Sequence, residues 1–287
     1  GKLPETELAF LDEIFKSNSA VLNALLGILN ERRFSNGTAV VTCPLRTLVG
    51  ASNELPDGDL TALRDRFLLA FDLRPLVRDL NFRKMITSPE PAVTTGLDMK
   101  GLEQIAWSAS QVKIPDPVID GLIAIREACR LEGLQKSDRV WKKSLNLVRA
   151  AAWLAGEKVA GMEDLAVLAD VVWTTPADRP KAARIVGAVA DPIGSQALEI
   201  LDAGRELATK TSGLRGGNDR KQFVTAAAAT LDQFRAQEAR LSSLAKGAGR
   251  RAQIVIKDAK REIAELRDDL ARALSQGLGI GNTGGAS

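Results

Sequence analysis

The 287-residue sequence contains neither histidine nor tyrosine. Without imidazole, a Ser-His triad and a His-ligated metal are both disfavoured, and chemistry falls to carboxylates, amides and guanidinium groups. Cysteine is scarce as well. Cys43 and Cys129 stand far apart with no metal-ligand spacing, which fits a reducing cytosol and a cytoplasmic location. No apolar run approaches the ~18 residues that span a bilayer, and no signal peptide is visible at the start, so no membrane insertion is expected. The formal net charge of +3 is too small to argue for a nucleic-acid partner. An apolar content of 45% and a charged content of 26% match an ordinary globular protein, long enough for two or three modest domains.

What the chain does have begins at Leu8-Ala9-Phe10-Leu11-Asp12-Glu13-Ile14. A short apolar run ending in two acids reads as a buried parallel strand that delivers carboxylates to its C-terminal edge, where α/β sheets bind ligands. On the residues alone, the same run is equally a strand meeting a helix N-terminus, where acids favour the dipole. It resembles the Walker B motif of P-loop ATPases. There the first acid (here Asp12) holds Mg²⁺, usually through water, and the second (here Glu13) polarises the attacking water.

A polar hinge follows at Phe15-Lys16-Ser17-Asn18-Ser19, and the periodicity predicts a helix over Ala20 to Arg32. Asn36-Gly37, flanked by short strand-like pieces, predicts a hairpin. Leu45 to Ser52 reads as another buried strand, ending on Asn53. An amide there can hydrogen-bond a lytic water or a γ-phosphate without adding charge; the alternative is a turn-forming Asn. A short helix over Leu60 to Arg64 and a third strand over Asp65 to Asp72 come next. An arginine at a helix end before an edge strand can reach a neighbouring subunit's γ-phosphate, a task suited to the planar guanidinium. Arg66 is the choice and Arg64 the competitor, against the alternative of a surface salt bridge.

Beyond Arg74-Pro75 helices dominate. Phe82–Ile86, Leu102–Ser108 and a proline-started helix at Asp116-Pro117 precede Ser137-Asp138-Arg139, which opens a helix ended by Gly156. Asp138 is expected to pair with Arg139 or Lys142, and Ser137 with Arg139 is otherwise a capping serine before an exposed arginine. A helix begins near Met162 and ends near Trp173. After Pro176 and Pro180 a helical pattern runs from Lys181 to Leu207, broken at Asp191-Pro192, then a loop over Ser212 to Asn218. Two long helices, Phe223–Lys246 and Arg250–Leu274, close the pattern. In the second, Ile256, Ala259, Ile263, Leu266, Leu270 and Ala273 form a coiled-coil or helix-hairpin seam, with Asp268 and Arg272 as an i,i+4 pair. The tail from Gly277 to Ser287 is expected to be disordered.

The landmarks Phe10-Leu11-Asp12-Glu13-Ile14, Asn30-Glu31-Arg32-Arg33-Phe34, Ala51-Ser52-Asn53-Glu54-Leu55-Pro56 and Asp65-Arg66-Phe67 occur in the order and spacing of the MoxR/RavA family of AAA+ ATPases, which the chain resembles, the RavA subgroup most. The resemblance implies an α/β segment followed by all-α structure: the C-terminal half of an AAA+ P-loop αβα core over residues 1–76, a helical lid over 77–175 and a long helical extension over 176–287. It implies ATP and Mg²⁺ as cofactors, with Asp12 as metal ligand, Glu13 as catalytic base, Asn53 as sensor 1, Arg66 as arginine finger and Arg139 as sensor 2, although Asp138 replaces the family's usual proline. The hairpin would be the pre-sensor insertion, projecting toward a ring's pore.

The function so implied is ATP hydrolysis coupled to remodelling or maturation of partner proteins by a homo-oligomer, expected as a hexameric ring, with von Willebrand A-domain partners. The sequence contains no Gly-x-x-x-x-Gly-Lys-Ser/Thr. Gly1-Lys2 cannot end one, because Leu3 follows where Ser or Thr is needed. The nucleotide reading therefore expects the phosphate-binding half upstream of Gly1 and little activity from this segment alone. A second reading, from a different class, is a non-hydrolysing helical scaffold with a degenerate ATPase half.

Overall fold

Leu8-Ala9-Phe10-Leu11 is an apolar tetrad and Arg33-Phe34-Ser35-Asn36 is largely polar, yet both are strands. β1 (Leu8–Leu11), β2 (Arg33–Asn36), β3 (Ala39–Thr42) and β4 (Thr47–Gly50) form two small sheets in the computed structural model, which describes residues 3–16, 25–29, 31–36, 39–54, 63–64, 66–76, 79–89, 92, 96–216 and 220–278. β1 pairs in parallel with β4, Leu11 lying opposite Gly50. β2 pairs antiparallel with β3, Asn36 opposite Ala39, as the hairpin expectation requires; Gly37 itself lies outside the described residues. So do most of the first half of the expected helix over 20–32, of which residues 25–29 are helical, and residues 55–62 and 65.

The chain divides into two compact units, the first comprising Gly1–Lys113, Arg126–Ala160 and Val167–Ala182, the second Ile114–Ile125, Gly161–Ala166 and Ala183–Ser287. In the first, Ile14, Leu25 and Leu63 are buried together with Phe15, Leu29 and Phe67 packed around them. A neighbouring cluster joins Ile28, Cys43 and Leu45 to Ala9, Phe34 and Leu48. Helical residues 25–29 thus serve both clusters, as a broad apolar face does.

The third strand expected over 65–72 is not formed: residues 66–76 carry no strand. Its backbone groups go elsewhere. Ala70 N–H donates to Asp170 O at 2.9 Å, and the Arg179 guanidinium donates to Asp72 O at 3.5 Å. An apolar run is ambiguous because a strand needs a ladder partner as well as a pattern, and here a helical region takes the bonds.

The helices are α1 (Asp79–Thr87), α2 (Met99–Ser110), α3 (Asp116–Leu131), α4 (Asp138–Leu154), α5 (Ala169–Val172), α6 (Arg179–Ala190), α7 (Pro192–Gly213), α8 (Arg220–Leu244) and α9 (Arg250–Leu278). α2 starts at Asp98, whose Oδ1 accepts the Gly101 N–H at 2.7 Å, and packs on α4. Gly156, at φ +83°, follows α4 in the left-handed conformation that ends helices. A 3₁₀ turn over Met162–Leu168 leads into α5.

In the second unit α7, α8 and α9 form a three-helix bundle. The seam of α9 is as expected, with Ile256, Ala259, Ile263 and Leu270 buried and Leu266 and Ala273 partly so, but its partners include α7 as well as α8. Arg267 donates to both carboxylate oxygens of Glu238 at 2.7 and 2.8 Å, and Arg205 to those of Glu262 at 3.0 and 2.9 Å. The Arg267 bonds share one nitrogen, Nη1, whereas Arg205 uses Nε and Nη2 as a two-pronged fork, and both pairs link neighbouring helices. The expected Asp268–Arg272 pair is replaced: Asp268 accepts from Arg267 at 3.0 Å, and Arg272 pairs with Asp269 one turn back. At exposed positions such choices differ by little energy. The loop expected from Ser212 also starts later, because α7 runs to Gly213 and a 3₁₀ turn to Gly216; residues 217–219 and the tail over 279–287 lie outside the described residues. Phe234 of α8 is fully buried. Phe234→Ala is expected to cost ~3–5 kcal/mol, read as a lowered urea midpoint by circular dichroism; an unchanged midpoint would mean that no packed core exists there.

Candidate functional site

Beyond Leu11 and Gly50 the ladder of β1 and β4 continues by two backbone bonds, Ala51 N–H to Leu11 O at 2.9 Å and Ile14 N–H to Ala51 O at 3.0 Å. Residues 12–14 and 51–53 therefore leave one sheet edge side by side. Ile14 is buried and anchors the turn, while Asp12, Glu13 and Asn53 are exposed. Glu13 has φ +49°, a left-handed backbone that costs a non-glycine residue about 1 kcal/mol. The Asp12 carboxylate steadies it by accepting the Glu13 N–H at 2.9 Å. The acid pair and the amide expected from the sequence are thus brought together at the C-terminal edge of adjacent parallel strands.

Lys16 was not singled out by the sequence pattern. Its Nζ lies 3.0 Å from Glu13 Oε1. That hydrogen bond and the charge of Glu13, with lesser help from Glu54 and Asp12, hold the Lys16 ammonium above its ordinary range against an opposing desolvation. The i,i+3 spacing from Glu13 was the available signal. Both groups are exposed, so the pair adds little stability, but it occupies the carboxylate expected to act on water.

Of the two arginines, Arg64 is committed to the interior. It is 9% exposed, donates to Phe67 O at 3.3 Å and to Trp173 O at 3.4 Å, and lies 5.5 Å from the centre of the Trp173 ring. Arg66 is half-buried, its backbone N–H bonded to Leu63 O at 3.0 Å. The next residue ties it to the sheet edge. A Cβ added at Gly50 would meet the Phe67 ring at 3.2 Å and Ile14 methyls at 3.3 Å, so glycine at the end of β4 lets Phe67 settle against the acid turn.

Arg139 is exposed in the first turn of α4. Ser137 has the extended backbone of an N-cap, but its side chain makes no cap bond, which weakens the reading of this triplet as a plain capping signal. Asp138 pairs with Arg126 of α3 at 3.0 Å, a correction to the expected Arg139 or Lys142. Adjacent helical residues do not face one another, which disfavours Arg139, and Arg126, reaching across from another helix, takes the carboxylate that Lys142 at i,i+4 could also have met. All five candidates belong to the first unit.

Among the described residues no group of three or more acids and cysteines gathers as a metal centre. A nucleotide-borne Mg²⁺ needs no such cage, since it takes one or two carboxylates and completes its shell with phosphate oxygens and water. Asp12, a hard oxygen donor exposed at the edge, fits that need. The cysteines offer no competing chemistry: both are buried, and burial pushes the Cys129 thiol up to about 11. Among the described residues no helix is long and apolar enough to cross a membrane.

Residues 1–88 match the family model described as the MoxR domain of the MoxR-vWA-beta-propeller ternary systems, and residues 117–186 match an AAA lid domain. Two curated proteins of Methanocaldococcus jannaschii are similar. The uncharacterized protein MJ0812 is 38% identical over 71% of this chain and 56% of its own length. The uncharacterized protein MJ0079 is 36% identical over 69% and 53%. The chain spans about half the length of these relatives. A solved structure from Cytophaga hutchinsonii, described as a candidate ATPase, is 17% identical over 64% of both chains with a TM-score of 0.49.

Proposed function

We propose, for a chain that belongs to the MoxR-type AAA+ ATPases, that it supplies the hydrolytic and sensing side of a Mg·ATP site whose turnover remodels or matures partner proteins. The observation that carries this reading is the parallel pairing of β1 with β4, with Asp12, Glu13 and Asn53 emerging from one edge. Asp12 is the residue that would hold Mg²⁺, which when bound with ATP neutralises charge on the phosphate oxygens. Glu13 takes the proton of the attacking water once Lys16 releases it. Asn53 orients that water by hydrogen bonding. Arg66 donates its guanidinium to the nucleotide of the neighbouring subunit, and Arg139 reaches the phosphates from the lid.

An arginine supplied in trans makes turnover depend on assembly, hence a homo-oligomeric ring, hexameric by resemblance. The matched family model is named for MoxR-vWA systems, which supports a von Willebrand A-domain protein as partner. The division into a core over 1–76, a lid over 77–175 and an extension over 176–287, the RavA-like subgroup and a cytoplasmic location belong to the same reading. In the full-length protein, ATP hydrolysis should require Mg²⁺, and Asn53→Ala should lower kcat by about 10²-fold with little change in the KM for ATP. Nucleotide binding with no Mg²⁺-dependent turnover would instead favour the helical scaffold.

A further inference from the structure

We infer that Arg64 is a positioning residue: it ties the backbone beside Arg66 to the end of α5, so that the helical lid sets where the finger guanidinium is held. The inference rests on the proposed role of Arg66.

A buried charge is costly unless its hydrogen bonds are satisfied, and arginine is seldom found 9% exposed without a task. Two of the bonds of Arg64 reach in opposite directions along the chain. One goes to the carbonyl of Phe67, the residue directly after Arg66, and one to the carbonyl of Trp173, directly after α5. The guanidinium also lies over the Trp173 indole at 5.5 Å, within cation–π range. The planar guanidinium serves two carbonyls and a ring face with its donors spread in a fixed fork, a geometry that the compact, strongly hydrated ammonium of lysine does not reproduce.

The attachment continues on either side. Ala70 N–H bonds Asp170 O of α5 at 2.9 Å, and Trp173 is itself buried. At the other end Phe67 packs with Ile14 and Leu63 and lies against Gly50. Arg66 therefore sits on a short span of backbone held by the acid turn on one side and by α5 on the other. Arg64 is the clamp on the α5 side, and a displacement of α5 is transmitted to the backbone that carries Arg66. A misplacement on the order of 1 Å costs a reaction about 10²-fold.

The test is a double-mutant cycle in the assembled full-length protein. Arg64→Lys keeps the charge and loses the fork; it should lower kcat by about 10²-fold with the KM for ATP and the assembly state unchanged. If Arg64 acts through Arg66, Arg64→Lys combined with Arg66→Ala should be no slower than Arg66→Ala alone. Additive losses, or wild-type kcat for Arg64→Lys, would overturn the inference. Should Arg64→Lys fail to fold, Trp173→Leu removes the ring and keeps the carbonyl. It should lower kcat by about tenfold and show the same non-additivity, and additivity there would overturn the inference equally. Failure of the underlying reading looks different: Arg66→Ala would then turn over normally by itself.

Discussion

Replacing Glu13 by glutamine in the full-length protein is expected to lower ATP turnover by about 10²–10⁴-fold while ATP binding and ring assembly persist. Glutamine has nearly the same shape and hydrogen-bonding reach, so the turn and the neighbouring Asp12 should survive; only the proton acceptor is lost. The structure makes this a clean substitution. The Glu13 side chain is exposed and, among the described residues, pairs with Lys16, an exposed pair of small energetic worth. Thermal stability should therefore stay close to wild type. Lys16, held above its ordinary range chiefly by the hydrogen bond it donates to Glu13, loses that support in the variant but, as a lysine, stays an ammonium at neutral pH, so its charge does not vary across the assay range. Turnover within a few-fold of wild type in a steady-state phosphate-release assay would remove Glu13 from the mechanism.

Arg66→Ala is expected to reduce kcat by about 10³–10⁵-fold, the scale of an arginine that stabilises a transferring phosphoryl group. Arg66→Lys should not restore it, because a point charge does not reproduce the planar fork. The decisive measurement is a mixing series with wild-type subunits. If the guanidinium acts on a neighbour, activity should fall faster than the wild-type fraction. Activity strictly proportional to wild-type content would make Arg66 a structural residue. The deep burial of Arg64 matters here, since the only competing arginine of this stretch already has its guanidinium engaged within its own chain.

Much of the candidate site is legible in the sequence. Short apolar runs ending in Asp12-Glu13 and in Asn53 read as neighbouring buried strands; they pair in parallel, but the expected burial is absent, with Leu8, Phe10 and Val49 exposed on a two-stranded sheet. Alternation within a strand and turn chemistry at Asn36 are local properties, so sequence carries them. What failed was non-local. Whether 66–72 joins a sheet depends on what lies beside it, and Asp170 and Arg179, about a hundred positions away, claim its backbone instead. The partner of Asp138 was mistaken for the same reason, since Arg126 arrives from a different helix. The role of Arg64 was hidden because no spacing rule connects it with Trp173. Along α9 the apolar repeat named the buried positions, but it could not say that two helices, not one, would cover them.

The left-handed backbone at Glu13 sets folding and chemistry against each other at a single position. Glycine would adopt that conformation without penalty and make the turn easier to form. In the proposed mechanism it would also leave the attacking water with no acceptor for its proton. Under the mechanism proposed above, the carboxylate is kept on this awkward backbone for its chemistry and not for the turn, where glycine would fold more readily.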